Sequence, residues 1–123
     1  MIRKIISDSA CDYVENLLKD KTIFSKIPFT ITFNNKNYLD DNNVNVEQVI
    51  EELKEYKGKS SSACPGPFLW ENAAKEADEI FFVTIAAGVS GSYNSALVVI
   101  FCASFMKSCK KYLLKYSFLV IIK

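Results

Sequence analysis

Residues 84–96 read Thr-Ile-Ala-Ala-Gly-Val-Ser-Gly-Ser-Tyr-Asn-Ser-Ala, and their reading decides the fold. The apolar run Ile80, Phe81, Phe82 and Val83 stands directly before them and reads as a buried strand. The residues after Gly91 can continue as a helix. Between strand and helix lies a turn rich in hydroxyls, with Gly88, Ser90, Gly91 and Ser92. A strand, a turn and a helix N-terminus together make an anion site. The first helical amides point outward without partners, and the helix dipole favours negative charge there. Ser90 and Ser92 have two readings: caps of the helix, or hydroxyl donors to a ligand.

Outward from this stretch, the chain alternates strands and helices. Residues 2–7 form a first strand and residues 8–12 a polar turn. Asp12 is an N-cap with Glu15 completing a capping box, ahead of a short amphipathic helix over 13–19 that carries Val14, Leu17 and Leu18 on one face. Residues 23–27 form a strand. Residues 31–33 and Tyr38 with Leu39 flank a turn at 34–37, which makes a hairpin. Asn45 caps a helix whose Val46, Val49, Ile50 and Leu53 have the i, i+3, i+4, i+7 spacing of one apolar face, and Gly58 stops it. Residues 59–67 are an extended loop, and Pro67 opens a helix with Phe68, Leu69, Trp70, Ala73, Ala74 and Ala77. After the central turn, residues 93–110 read as helix and 117–122 as a last strand. The order predicts an α/β layered fold with a mainly parallel sheet flanked by helices.

Composition excludes several functions. The 123 residues suit one domain or a large part of one, and half of them are hydrophobic. With 15 basic and 14 acidic residues the net charge is +1, which gives no support for nucleic acid as a partner. The chain has no histidine, so it lacks the commonest metal ligand and the commonest general base. Its cysteines, Cys11, Cys64, Cys102 and Cys109, show no zinc or redox spacing, and no metal or cofactor is expected. The N-terminus has no signal-peptide core, because Asp8 interrupts it, so a cytoplasmic protein with reduced thiols is expected. Residues 80–106 carry no charge, but Gly88, Ser90, Gly91, Ser92, Asn94 and Ser95 sit in the middle, so no stable membrane span is expected.

Two catalytic motifs fail on inspection. Residues 88–92 approach a nucleophile elbow, Gly-x-Ser-x-Gly, in a strand-turn-helix setting, but position 92 is Ser and no histidine exists to act as base. Residues 58–60, Gly-Lys-Ser, follow a helix, and Leu53 stands where a P-loop needs its first glycine. Asp8, Asp12, Asp40 and Asp41 read as capping and solvated loop carboxylates.

Four segments carry a resemblance. They are residues 7–12, Ser-Asp-Ser-Ala-Cys-Asp; residues 38–41, Tyr-Leu-Asp-Asp; residues 60–67, Ser-Ser-Ser-Ala-Cys-Pro-Gly-Pro; and Val83, Thr84, Ile85 with residues 90–96, Ser-Gly-Ser-Tyr-Asn-Ser-Ala. In order and spacing, from residue 2 to about 96, they resemble the N-terminal domain of the DegV family, bacterial fatty-acid-binding proteins. The resemblance implies two α/β domains and an acyl chain buried in a tunnel. It also implies a carboxylate held by hydroxyls of the middle loop, Ser61 or Ser62, and by the turn Ser90, Gly91 and Ser92. The implied partners are a long-chain fatty acid and a separate fatty acid kinase. The implied role is a carrier, with no catalytic residue. Residues 1–97 correspond to the DegV-like domain, and 98–123 form a divergent helix and strand without a match. The family's second domain, with its histidine near the carboxylate, is absent, so a truncated or frameshifted product is expected. Its acyl-facing surface would be open, its binding weak, and its apolar patch prone to self-association. Two alternatives remain open at this point. One is a serine-based acyl-transfer enzyme with a base supplied by a partner, and the other is a remnant that binds nothing.

Overall fold

The structure, a computed structural model, describes residues 1–12, 18, 21–105 and 116–122. In chain order the elements are β1 (Arg3–Asp8), β2 (Ile23–Ile27), β3 (Thr30–Phe33), β4 (Lys36–Leu39), α1 (Val46–Glu55), β5 (Ser61–Ala63), α2 (Pro67–Ala74), β6 (Glu79–Ile85), α3 (Ser92–Phe105) and β7 (Tyr116–Ile122). The helix expected over 13–19 lies, except for Leu18, outside the described residues. So does the part of the last helix beyond residue 105.

The main sheet has the order β2-β1-β6-β7, and every pairing in it is parallel. The α/β layered fold with a mainly parallel sheet is therefore present. Register fixes which side chains share a face. Lys4 stands opposite Ile80, Ile6 opposite Phe82, and Asp8 opposite Ile27. Paired residues in parallel strands project to the same side, so Lys4, Ile6, Asp8, Ile27, Ile80, Phe82 and Thr84 line one face. Helices α2 and α3 pack on that face and on each other. Ile6, Ile27, Ile80 and Phe82 meet Trp70 and Ala74 of α2 and Ala96 and Val99 of α3 in one buried cluster. Trp70 presents its ring edge to Phe82, with centroids 5.4 Å apart and planes at 83°. Burial of this apolar surface is what closes the layer, at about 25 cal/mol per Å² removed from water.

Both ends of β1 carry a charge that answers a helix dipole. At its start, Lys4 Nζ donates to the carbonyls of Lys75 (2.7 Å) and Ala73 (3.2 Å) at the C-terminus of α2. At its end, Asp8 lies beneath the N-terminus of α3. A cation at a helix C-terminus and an anion at an N-terminus are each the favourable sign. The segment 98–123 supplies the rest of α3 and then β7, whose backbone pairs with β6 along its whole length.

A second sheet, order β4-β3-β5, is antiparallel and follows β2 after Pro28 and Phe29. Its hairpin turns on Asn34 and Asn35, with φ of 49° and 57°. Asparagine tolerates this left-handed region because its short amide bonds locally. Ser61–Ala63, read from sequence as part of a loop, is instead an edge strand on β3.

Helix α1 begins where expected. Asn45 Oδ1 accepts the Gln48 amide at 3.0 Å. The Gln48 side chain does not complete a capping box but donates to Glu52 at 2.9 Å. Only Val49 of the apolar stripe is buried; Val46, Ile50 and Leu53 remain exposed. The helix is fastened instead by a polar cluster. Glu52 accepts from Tyr38 (2.6 Å) and Lys36 (2.9 Å), while Phe33 stacks on Tyr38 and meets Tyr56.

The hydrogen bond from Tyr38, then those from Lys36 and Gln48, hold the Glu52 carboxyl at about 2, well below its ordinary 4.5. The same bonds to Glu52 push Tyr38 and Lys36 above their ordinary values. A carboxyl with a lowered folded value stabilises the fold above pH 4.5, and that contribution is lost as pH falls toward 2. The raised values of Tyr38 and Lys36 act in the opposite sense, so their contribution fades only in strongly alkaline solution. Denaturant unfolding of the wild type and Glu52→Gln, compared from pH 5.5 downward, should show a stability gap that closes between about pH 4.5 and 2. A gap that stays constant over that range would mean that Glu52 is not held by these bonds.

Candidate functional site

Strand β1 leads to β2 on one side, while β6 leads through α3 to β7 on the other. The loops after these two neighbouring strands therefore part, and leave a crevice outside their carboxyl ends. Open parallel sheets bind ligands at such a point. Residues 9–12 and 86–91 are the two loops that part here.

After β6 the backbone closes a turn in which Ala86 O accepts the amides of Val89 (2.9 Å) and Ser90 (3.2 Å). Gly91 O accepts the amide of Ser95 at 3.0 Å, the first bond of α3. Neither Gly88 nor Gly91 has a positive φ, so the turn does not depend on glycine for its dihedrals. Gly91 matters for another reason. A Cβ there would stand 3.2 Å from Cys64 Sγ. Cys64 follows β5, so this close approach is what sets the middle loop against the N-terminus of α3.

The sequence singled out five site residues. Ser90 is half-buried, and its Oγ accepts the Ser92 amide at 3.2 Å. It therefore caps the helix, and its hydroxyl proton has no acceptor among the described residues. Gly91 is exposed beside it. Ser92 is fully buried, and its hydroxyl donates to Asp8 Oδ2 at 2.6 Å. Its single proton is thus committed inside the protein. Ser61 and Ser62 are exposed on β5, opposite Thr32 and Ile31. The structure brings Ser90, Gly91 and Ser92 together with Cys64, two residues beyond Ser62. The amides of Tyr93 and Asn94 have no acceptor among the described residues. These amides, the Ser90 proton and the exposed serines of β5 make a set of donors with no matching anion among the described residues.

Sequence reasoning missed Asp8, taken there for a solvated loop carboxylate. It is 1 % exposed, and its Oδ2 accepts both the Ile85 amide (3.0 Å) and the Ser92 hydroxyl. Ser7 and Thr84 are buried beside it. Ser7 Oγ donates to Asp8 O at 3.1 Å, and Thr84 Oγ1 has no partner among the described residues. On the outer side, Ser9 Oγ accepts the Phe29 amide (2.9 Å) and Phe29 O accepts the Asp40 amide (2.9 Å). The β1 loop is thereby tied to the 38–41 segment. A signal for Asp8 did exist in the sequence: a carboxylate at the end of a central strand, in a chain with an unpaired helix N-terminus. Among the described residues no group of His, Cys, Asp and Glu is arranged to hold a metal, and no helix is long and apolar enough to cross a membrane.

Comparison with known proteins gives concordant results. The family profile described as an uncharacterised protein of the DegV family matches residues 3–106. A DegV domain-containing protein of Streptococcus gordonii is 41 % identical over 101 residues, covering 80 % of this chain and 35 % of its own. A DegV domain-containing protein of Streptococcus pneumoniae is 38 % identical over 97 residues, 78 % of this chain and 34 % of its own. Among solved structures, a DegV family protein from Eubacterium eligens loaded with heptadecanoic acid superposes with a TM-score of 0.80 at 34 % identity, over 98 % of this chain and 40 % of that one. The Streptococcus pneumoniae Fatty Acid Kinase (Fak) B3 protein loaded with linoleic acid gives 0.82 at 32 % identity, over 98 % of this chain and 41 % of that one. The chain thus spans about a third of the length of these curated relatives and about two fifths of these solved chains. A sequence match over most of its length and a superposition over nearly all of it agree on one assignment: the chain belongs to the DegV family.

Proposed function

We propose that this chain binds a fatty acid by its carboxylate at the N-terminus of α3, as a carrier that presents the acid to a fatty acid kinase. The observation that carries the reading is the unmatched donor set at the crevice: the Ser90 hydroxyl proton and the amides of Tyr93 and Asn94. A carboxylate needs several donors, and charge-assisted bonds at a helix N-terminus are the strong kind. The fatty acids carried by the Eubacterium eligens and pneumococcal proteins support the ligand class, and the name of the latter supports the kinase partner. Ser90 favours binding over catalysis, because the atom that would attack is engaged by the Ser92 amide and the chain has no histidine to activate it.

The apolar residues Phe68 (68 %), Val89 (73 %) and Phe101 (65 %) are largely exposed, so these 123 residues offer the acyl tail one wall. A tail covered on one side forgoes much of the 70–90 % burial usual for small ligands. Binding by this chain alone is expected at about micromolar or weaker, with self-association through the same surface. Ser90→Ala removes a charge-assisted donor of about 1.5–3 kcal/mol, and should weaken fatty-acid binding roughly tenfold to a hundredfold without unfolding the chain. Ser62→Ala should act in the same direction. Titration with a fluorescent fatty acid, with circular dichroism as the folding control, measures both. Full affinity in both variants would place the carboxylate elsewhere.

A further inference from the structure

A buried negative charge lies directly under the proposed anion site. Asp8 is 1 % exposed, and one hydroxyl, Ser92 Oγ at 2.6 Å, separates it from the first turn of α3. Its Oδ2 also holds the Ile85 amide at 3.0 Å, at the strand end from which the turn departs. Thr84, on the same face of the sheet, is fully buried and its Oγ1 lacks a partner among the described residues. Among the described residues, Lys26 on β2 stands opposite Ser7, exposed and on the other face of the sheet, and the remaining charged groups of these strands lie at the opposite end. Lys4 is engaged by the C-terminus of α2, and Arg3 is paired with Glu79. Asp12, on the loop after β1, is exposed and solvated.

A bare helix N-terminus suits phosphate as well as carboxylate, and its attraction grows with ligand charge. A fixed carboxylate behind that terminus opposes this preference. Its repulsion also grows in proportion to ligand charge, and it is poorly screened in a buried setting. Resting on the fatty-acid reading above, we propose that Asp8 is a positioning and selectivity residue of the carboxylate site. It orients the first turn of α3 through Ser92 and Ile85, and it sets the site for a singly charged head group over a doubly charged one.

The test uses the 123-residue chain at constant pH 7.5, with three short-chain probes below their micellar concentrations: decanoate, decyl sulfate and decyl phosphate. Sulfate and phosphate heads share a tetrahedral shape, but the first carries one charge and the second about 1.5–2. Calorimetric titration of the wild type should show decyl sulfate bound more tightly than decyl phosphate. In Asp8→Asn the amide oxygen can accept both bonds that now go to Oδ2, so the turn is kept while the charge is removed. The phosphate-to-sulfate affinity ratio should then rise by roughly tenfold or more. A merely structural role would lower all three affinities together and leave the ratio unchanged, and that result overturns the inference. So does a wild type that holds the phosphate as tightly as the sulfate, a result that needs no folded variant. Either outcome, with decanoate still bound, leaves the fatty-acid reading standing. If the wild type binds none of the three probes, the fatty-acid reading falls, and the role of Asp8 falls with it.

Discussion

Trp70→Ala should lower the unfolding free energy by about 3–5 kcal/mol, the usual cost of emptying a buried aromatic site. Trp70 is fully buried and is the largest side chain joining α2 to the sheet, through its edge-on contact with Phe82. Stabilities of domains this size are about 5–15 kcal/mol, so the loss is a large fraction of the whole. Trp70→Phe should behave differently. The indole Nε1 has no hydrogen-bond partner among the described residues, so the substitution breaks no bond and removes a buried polar atom. Its cost should be well below that of Trp70→Ala, because most of the buried ring volume is kept. Urea unfolding of the two variants measures the contrast. Equal, large losses would mean that Nε1 is bonded after all, and equal, small losses would mean that α2 is not held by Trp70.

The second large effect belongs to Asp8. Asp8→Ala strands two donors, the buried Ser92 hydroxyl and the half-buried Ile85 amide. Each unsatisfied donor costs about 1–3 kcal/mol, so a loss of about 2–6 kcal/mol is expected. Asp8→Asn should cost far less, because a single oxygen accepts both bonds. Ser92→Ala should also cost stability, since its hydroxyl serves Asp8. This separates Ser92 from Ser90: the first should act on folding, the second on affinity. Thermal unfolding of Asp8→Ala, Asp8→Asn and Ser92→Ala gives the comparison. An Asp8→Ala variant as stable as the wild type would show that the bonds under α3 contribute nothing net.

Local chemistry made much of the fold legible. Residues 23–27 form the expected strand, Pro67 opens α2, Asn45 caps α1, and the two asparagines make the hairpin turn. In each case the deciding interaction lies within a few residues. What was not legible depends on partners distant in sequence. Ser61–Ala63 has no apolar alternation, and becomes a strand only because β3 offers it an edge. The stripe Val46, Ile50, Leu53 marks an apolar face of α1, but periodicity cannot say what covers it, and here it stays exposed. Asp8 and Lys4 look like surface charges in sequence. Their roles appear once α3 and α2 end above them. The site divides the same way. The run from Ser90 to Asn94 announces a helix N-terminus by its own residues. The placement of Cys64 against Gly91, and the carboxylate beneath Ser92, required the sheet.

The central claim is that a fatty-acid carboxylate docks beyond the carboxyl ends of β1 and β6, on the donors at the start of α3. Nitrogen-15 NMR of the uniformly labelled chain, titrated with decanoate and in parallel with methyl decanoate, tests it most directly. The account predicts that decanoate shifts the amides of Gly91, Tyr93 and Asn94 together with those around Ser62. The ester, which has the same tail and no charge, should leave the amides at the start of α3 nearly unmoved. Equal shifts from acid and ester there, or shifts confined to regions away from α3 and β5, would contradict the account.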